Sequence, residues 1–218
     1  MPLFRAAALP VLLCPFISSF ALAQSASQSP NLIPVPREVR AAAVQPLSSG
    51  VQITCATPCA AEDAFAVDDL KAYLSSQGIA INPSSPVNLL VIRYGSPVSK
   101  SIYKEATQPS AEPPADFPAP MKAEGYVIIP DGKGLAITAA TDAGIFYGLQ
   151  TVKQLVTGTG TNAVLHTATI RDWPAMPYRG LHDDLSRGPV PTLEFQKKQI
   201  RTFAAYKINI YSPYFEHT

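Results

Sequence analysis

The final part of the sequence has the pattern of a strand, a helix and a second strand. The apolar segment "GLHDDL" is followed by the helix-patterned "TLEFQKKQIRTFAAYK" and then by "INIYS". Two strands joined through a helix lie parallel, and a parallel sheet needs cover on both faces. One such unit cannot supply that cover, and a (β/α)8 TIM barrel needs about 250 residues. Residues 176–218 are therefore predicted to be the incomplete start of such a barrel; the alternative is a unit that completes a small α/β domain.

The preceding residues, 30–172, have the pattern of a separate small α+β domain. The strand-like segments "VQITC" and "NLLVIRY" flank a helix of about residues 60–77, in which apolar residues recur at three- and four-residue spacing. "GYVIIP" and "GLAITAA" flank "DGKG", which indicates a β-hairpin. A second helix begins at Thr141 or Asp142, and "VLHTATI" is a further strand. Gly144 and Gly148 in this helix are expected to allow a close approach to the sheet. The predicted class is thus mixed, α/β and α+β.

Residues 1–23 have the features of a secretory signal peptide: an early arginine, an apolar run and an Ala-x-Ala end. A membrane anchor is the alternative, but the apolar run is short and is interrupted by Pro10 and Pro15. The sequence therefore predicts a secreted or periplasmic protein without a stable membrane anchor. The proline-rich "QPSAEPPADFPAP" is predicted to be a loop or a disordered insertion.

Export favours a disulfide between Cys55 and Cys59 in "ITCATPCA". The histidines form no ligand-spaced cluster with these cysteines, so no metal site is predicted. A net charge of +1 leaves no basic excess for nucleic acid binding, and no glycine-rich phosphate loop is present. No cofactor is predicted either.

Four segments together resemble glycoside hydrolase family 20, the β-N-acetylhexosaminidases: "LIPVPREV", "GYVIIPDGKGLAITAATDAGIFYGLQTVKQLV", "IRDWPAMPYRGLHDDLSR" and "AAYKINIY". The most specific features are the "GIFYGLQTVKQL" helix and the spacing of Arg179, Gly180, Asp184 and Arg187. The resemblance implies a small α+β domain packed on a catalytic (β/α)8 barrel. It also implies removal of terminal N-acetylhexosamine residues from glycans, with retention of configuration.

The resemblance implies a substrate-assisted mechanism, in which the acetamido oxygen of the sugar attacks the anomeric carbon. A glutamic acid protonates the leaving oxygen, and an adjacent aspartate orients the acetamido group. This Asp-Glu pair follows the fourth barrel strand and is expected beyond residue 218, so the fragment itself is expected to be inactive. Asp183 and Asp184 do not replace the pair, because adjacent strand residues point to opposite faces.

The resemblance assigns substrate binding to Arg187, just past the carboxyl end of the first barrel strand, with Asp184 placed to orient it. An Arg187–Asp184 ion pair that only shapes the loop is the alternative. Arg179, at the other end of that strand, is interpreted as structural. Glu216 lies close to the position of a sugar-contacting aspartate of the family, and a solvated loop residue is the alternative.

The chain departs from the family pattern at three positions: Gly188, Ser212 and Tyr214 stand where the family has histidines. These departures leave two other functions open. One is another acetamido-assisted glycosidase, similar to O-GlcNAcases or hyaluronidases. The other is a non-catalytic carbohydrate-binding module.

Overall fold

The computed structural model describes residues 31–56, 58–94, 123–186 and 188–216. The predicted signal peptide, the proline-rich segment and Arg187 lie outside these ranges. The elements in chain order are β1 (Glu38–Pro46), β2 (Gln52–Cys55), α1 (Ala61–Ser76), β3 (Asn88–Arg93), β4 (Tyr126–Pro130), β5 (Gly134–Ala139), α2 (Asp142–Leu155), β6 (Val156–Thr157), a 3₁₀ helix (Gly160–Asn162), β7 (Val164–Asp172), β8 (Gly180–Asp184), α3 (Leu193–Ala205) and β9 (Ile210–Tyr214).

A mixed seven-stranded sheet organises the described residues from 31 to 172, which we call the sheet unit. Its strand order is β1-β7-β4-β5-β3-β2, with β6 paired to β7. Strands β2, β3 and β5 are mutually parallel, and the other pairs are antiparallel. The predicted hairpin is confirmed: β4 and β5 are antiparallel neighbours, and Gly132 adopts a φ of 80° in the turn between them. Strand β1 was not predicted.

Helices α1 and α2 pack together and share an apolar core with one face of the sheet. The large, fully buried apolar side chains of this core come from both helices and three strands: Leu70, Leu74, Leu89, Ile128, Leu135, Ile137, Ile145 and Leu149. Burial of this much apolar surface is the main stabilising contribution expected for the sheet unit.

Helix α2 begins at its predicted cap and approaches the sheet closely. The Thr141 hydroxyl accepts a hydrogen bond from the Gly144 backbone N–H at 3.1 Å. A Cβ atom at Gly144 would lie 2.5 Å from the Gly125 carbonyl oxygen, and one at Gly148 would lie 3.0 Å from Ile137 Cγ2. The prediction that these glycines permit close packing is therefore confirmed.

The remaining elements, β8, α3 and β9, form a second unit (residues 176–216), which we call the βαβ unit. Strands β8 and β9 pair in parallel from Gly180–Ile210 to Asp184–Tyr214, as the sequence predicts. Thr192 caps α3 by accepting a hydrogen bond from Phe195 N–H. Ile200 on α3 is 50% exposed. Among residues 176–186 and 188–216, Lys207 alone is buried. No helix in the described ranges is both long and apolar enough to cross a membrane.

Candidate functional site

The two faces of the β8–β9 pair differ in what covers them. The Tyr211 ring lies 5.6 Å from the Phe203 ring of α3, so the face that carries Tyr211 and Asp183 packs towards this helix. Side chains alternate along a strand, which places His182 and Asp184 on the face opposite α3. The His182 ring lies 6.1 Å from that of Tyr214 there. The two adjacent aspartates therefore do not converge.

Asp184 and Asp183 have different partners. Asp184 Oδ1 accepts hydrogen bonds from the Ser186 backbone N–H at 2.9 Å and from the Ser186 hydroxyl. These bonds favour the charged carboxylate and lower the pKa of Asp184. Asp183 accepts from the Tyr211 hydroxyl at 3.0 Å. Desolvation, together with that bond to Asp183, raises the pKa of Tyr211. Asp183 thus belongs to the packing against α3, whereas Asp184 shapes the turn after β8.

The other predicted site residues lie around the same strand ends. Glu216 is exposed, and its carboxylate is 3.4 Å from the Tyr214 hydroxyl. Gly188 faces open space: apart from its chain neighbours, no described atom lies within 4 Å of the place a Cβ would occupy. Arg187 lies outside the described residues, so its role in substrate binding stays a prediction. The carboxyl ends of β8 and β9 thus bring Asp184, Tyr214 and Glu216 to one end of the unit.

Cys55 and Cys59 are joined by a disulfide with their Cα atoms 5.7 Å apart. The bridge links the end of β2 to the residues before α1. Beside it, the Arg93 guanidinium forms a two-point ion pair with Asp63, at 2.7 and 2.9 Å.

Across the residues that the structure describes, no three His, Cys, Asp or Glu side chains converge in a way that could hold a metal ion.

A buried polar cluster, not recognised from the sequence, joins the two units. Lys207 Nζ donates to Asp172 Oδ2 and to the Tyr126 hydroxyl, both at 2.7 Å. Tyr126 in turn donates to Asp172 at 2.8 Å, and its oxygen lies 2.7 Å from Thr151 Oγ1. Burial lowers the pKa of Lys207, although the charge of Asp172 opposes this shift. Burial, and then the charge of Asp172, raise the pKa of Tyr126.

A second set of contacts surrounds Arg179, immediately before β8. Its guanidinium pairs with Glu124 and donates to the carbonyl oxygens of Lys207 and Met176, each at 2.7 Å. The Asn209 side chain accepts a hydrogen bond from the backbone N–H of Arg179 at 2.9 Å and donates one to Glu124 at 3.0 Å. The interpretation of Arg179 as structural agrees with these contacts. We call the whole set the interface network: Tyr126, Asp172, Lys207, Arg179, Glu124 and Asn209.

A cavity of about 330 Å³ lies beside the interface network. Its walls include Val35, Trp173 and Met176, and the Arg37 guanidinium stacks on Trp173 at 4.8 Å from the ring centroid. Arg179 also lines the cavity and precedes β8, so this space adjoins the amino end of that strand. Asp184 stands at the carboxyl end. The cavity and the candidate site are therefore separate places.

Comparison with known proteins places most of the chain in one family. Residues 29–173 match the model of glycosyl hydrolase family 20, domain 2. A β-hexosaminidase of Porphyromonas gingivalis is 30% identical over 207 residues, which cover 90% of this chain and 25% of that protein. The chain thus spans about a quarter of the length of this curated relative.

Solved structures share the fold. The N-acetyl-β-hexosaminidase of Streptomyces plicatus superposes with a TM-score of 0.62 at 22% identity, covering 84% of this chain and 34% of that one. A glycoside hydrolase family 20 β-N-acetylglucosaminidase gives a TM-score of 0.58 at 24% identity, over 85% of this chain and 30% of the other. The mixed α/β architecture is therefore that of family 20 proteins.

Proposed function

Because the chain belongs to glycoside hydrolase family 20, we propose that it is part of a glycosidase that removes terminal N-acetylhexosamine residues from glycans. The observation that carries the proposal is the family match over residues 29–173, together with the β-hexosaminidase relative. The chain spans a quarter of that relative, so the activity is proposed for the longer protein and not for these 218 residues alone.

In this proposal β8, α3 and β9 are the first βαβ unit of a (β/α)8 barrel. Two observations support it: the parallel pairing of β8 with β9, and the position of α3 on one face only. In a barrel the face of the sheet opposite the helices lines the interior, and the active site lies at the carboxyl ends of the strands. Asp184 and Glu216 occupy those ends, and Arg187 follows directly.

The proposed mechanism is substrate-assisted and retaining. The acetamido oxygen of the sugar attacks the anomeric carbon, a glutamic acid protonates the leaving oxygen, and an adjacent aspartate orients the acetamido group. We expect that Asp-Glu pair outside residues 1–218. Within this chain, Arg187 would donate hydrogen bonds to sugar hydroxyls and Glu216 would accept them. The chain would thus contribute substrate binding, and alone it would be inactive.

We also propose that the protein is exported to the periplasm or beyond the cell. The signal-peptide pattern of residues 1–23 supports this location. The Cys55–Cys59 disulfide is compatible with an oxidising compartment.

The function is tested by hydrolysis of 4-nitrophenyl N-acetyl-β-glucosaminide. We expect turnover by the longest natural form of the protein and none by residues 24–218, because general-acid catalysis alone is typically worth about 10²–10⁴-fold. The matched control substrate is 4-nitrophenyl β-glucoside, which lacks the acetamido nucleophile and should not be cleaved. Equal cleavage of both substrates would contradict the mechanism, and inactivity of the longest form would favour a carbohydrate-binding module.

A further inference from the structure

Ion pairs and hydrogen bonds join the βαβ unit to the sheet unit, and α3 also contacts α2. Within residues 176–186 and 188–216, Lys207 is the one buried residue, at 8% exposure. Its ammonium group lies between Asp172 and Tyr126 of the sheet unit. The cavity of about 330 Å³ lies beside these groups. Close apolar packing therefore does not by itself determine how the two units are oriented.

The backbone at Lys207 is shaped for this contact. Lys207 follows the end of α3 and has a φ of 61°, which is uncommon for a residue other than glycine. This left-handed conformation ends the helix and accompanies the burial of the long side chain against the sheet unit. A lysine in an ordinary helix end would keep its ammonium group in water.

The contacts hold both strands at their amino ends. Arg179 immediately precedes β8, and it binds Glu124 of the sheet unit. Lys207 and Asn209 lie within the three residues before β9, and they bind Asp172 and Glu124, respectively. Each strand is thus tied to the sheet unit at the end opposite the one that carries the candidate site.

We propose that Lys207 and Arg179 are positioning residues, which orient β8 and β9 on the sheet unit and so set where Asp184 and Glu216 are presented. A tilt at the amino end of a short strand displaces its carboxyl end. In an active site, a displacement of about 1 Å can cost about 10²-fold in rate. The proposed orientation of the strands does not depend on the proposed glycosidase function. The expected effect of that orientation on substrate binding and rate does rest on it.

The test measures the distance between the units by pulsed electron paramagnetic resonance. Spin labels are attached through Ala72→Cys on α1 and Lys198→Cys on α3, both exposed positions, in a Cys14→Ser background of the 218-residue chain. We expect a narrow distance distribution in this labelled protein. Combining Lys207→Met with Asp172→Asn removes both charges without leaving either buried and unpaired. We expect the distance distribution of this double variant to be at least twice as wide as that of the labelled protein. The distribution of Lys207→Arg should be narrower than that of the double variant.

The matched control is Lys197→Met, which removes an exposed lysine of α3 that pairs with Glu194, and it should leave the distribution unchanged. Amide hydrogen exchange of α2 reports whether the sheet unit stays folded. A wide distribution with protected α2 amides supports the proposal. A distribution as narrow as that of Lys197→Met, or loss of α2 protection together with the widening, overturns it. None of these readouts uses glycosidase activity, so they are independent of the proposed function.

Discussion

The sheet unit and the βαβ unit of this chain bury their side chains in opposite ways. In the sheet unit, two helices and one face of the sheet enclose an apolar core in which Leu70 and Leu149 have no exposed surface. In the βαβ unit, α3 leaves Leu193 and Phe195 more than half exposed, and a lysine is the one buried residue among those described from 176 to 216.

The difference shows that one chain can contain a unit with its own core and a unit whose apolar surface needs further partners. An α/β sheet is normally covered on both faces, and the β8–β9 pair has a described helix on one. The stability of the sheet unit should therefore respond to core substitutions, and that of the βαβ unit to its polar attachment. Three pairs of variants and one single substitution test this contrast.

The largest effect is expected from truncating a core side chain of the sheet unit. Leu149→Ala on α2 should lower the free energy of unfolding by about 2–5 kcal/mol, because the side chain is fully buried. Ile200→Ala on α3 should change it by less than about 0.5 kcal/mol, because half of this side chain is exposed. Urea titrations followed by circular dichroism measure both. A comparable loss for the two variants would mean that the βαβ unit has a core of its own.

A second pair compares the two ends of β8. In the longest natural form, Arg187→Ala should remove a hydrogen-bonded contact to the sugar worth about 1.5–3 kcal/mol, or about one to two decades in kcat/KM. Arg179→Ala should lower the melting temperature, since Arg179 pairs with Glu124 at the interface, and should lower kcat/KM only through the displacement of β8. Steady-state kinetics and melting curves separate the two effects. Early melting with normal turnover for Arg187→Ala would favour the ion pair with Asp184.

The third pair compares glycines in close and in open surroundings. Gly144→Ala should destabilise the chain by about 1–3 kcal/mol, because the added Cβ would collide with the Gly125 carbonyl oxygen and with Ala139 Cβ. The higher helix propensity of alanine, about 1 kcal/mol, offsets this cost only in part. Gly188→Ala meets open space and should be nearly neutral. Thermal melting compares them, and a stabilised Gly144→Ala would show that α2 can move away from the sheet.

The smallest effect concerns the exposed turn after β8. Hydrogen bonds from Ser186 lower the pKa of Asp184, so their contribution is present above a pH of about 3.9 and is lost as the pH falls through the lowered value. Ser186→Ala should raise the pKa of Asp184 towards its ordinary value. A carbon-detected NMR titration of the unsubstituted chain and of Ser186→Ala measures it. An unchanged pKa in the variant would mean that another group holds the charge of Asp184.

The sequence alone predicted those elements whose structure is determined by residues close together in the chain. Both helices of the sheet unit, the β4–β5 hairpin and the Thr141 cap follow from periodicity and turn chemistry within short segments. Strand β1 was missed because "EVRAAAVQP" contains three alanines and little β-branched alternation. It becomes a strand by pairing with β7, and the paired residues lie 118 to 133 positions apart in the sequence.

The sequence predicted the strand ends near which Asp184 and Glu216 lie, and their role in a site stays a prediction. Among the described residues Asp184 accepts hydrogen bonds from Ser186, and its expected role in orienting Arg187 stays a prediction. Lys207 lies between Tyr206 and Ile208 and has no local signal for burial. Its position depends on Asp172 and Tyr126, which distant parts of the chain supply.

The pairing of β1 with β7 also has a consequence for the order of folding during synthesis. Residues 38–46 find their partners only when residues 164–172 have been made. At about 5–20 residues per second, the first strand stays unpaired for roughly 6–25 s. An unpaired strand exposes backbone groups that can recruit another chain. Three alanines and the charged residues Glu38 and Arg40 lie within β1, so we expect the unpaired strand to offer another chain little apolar surface.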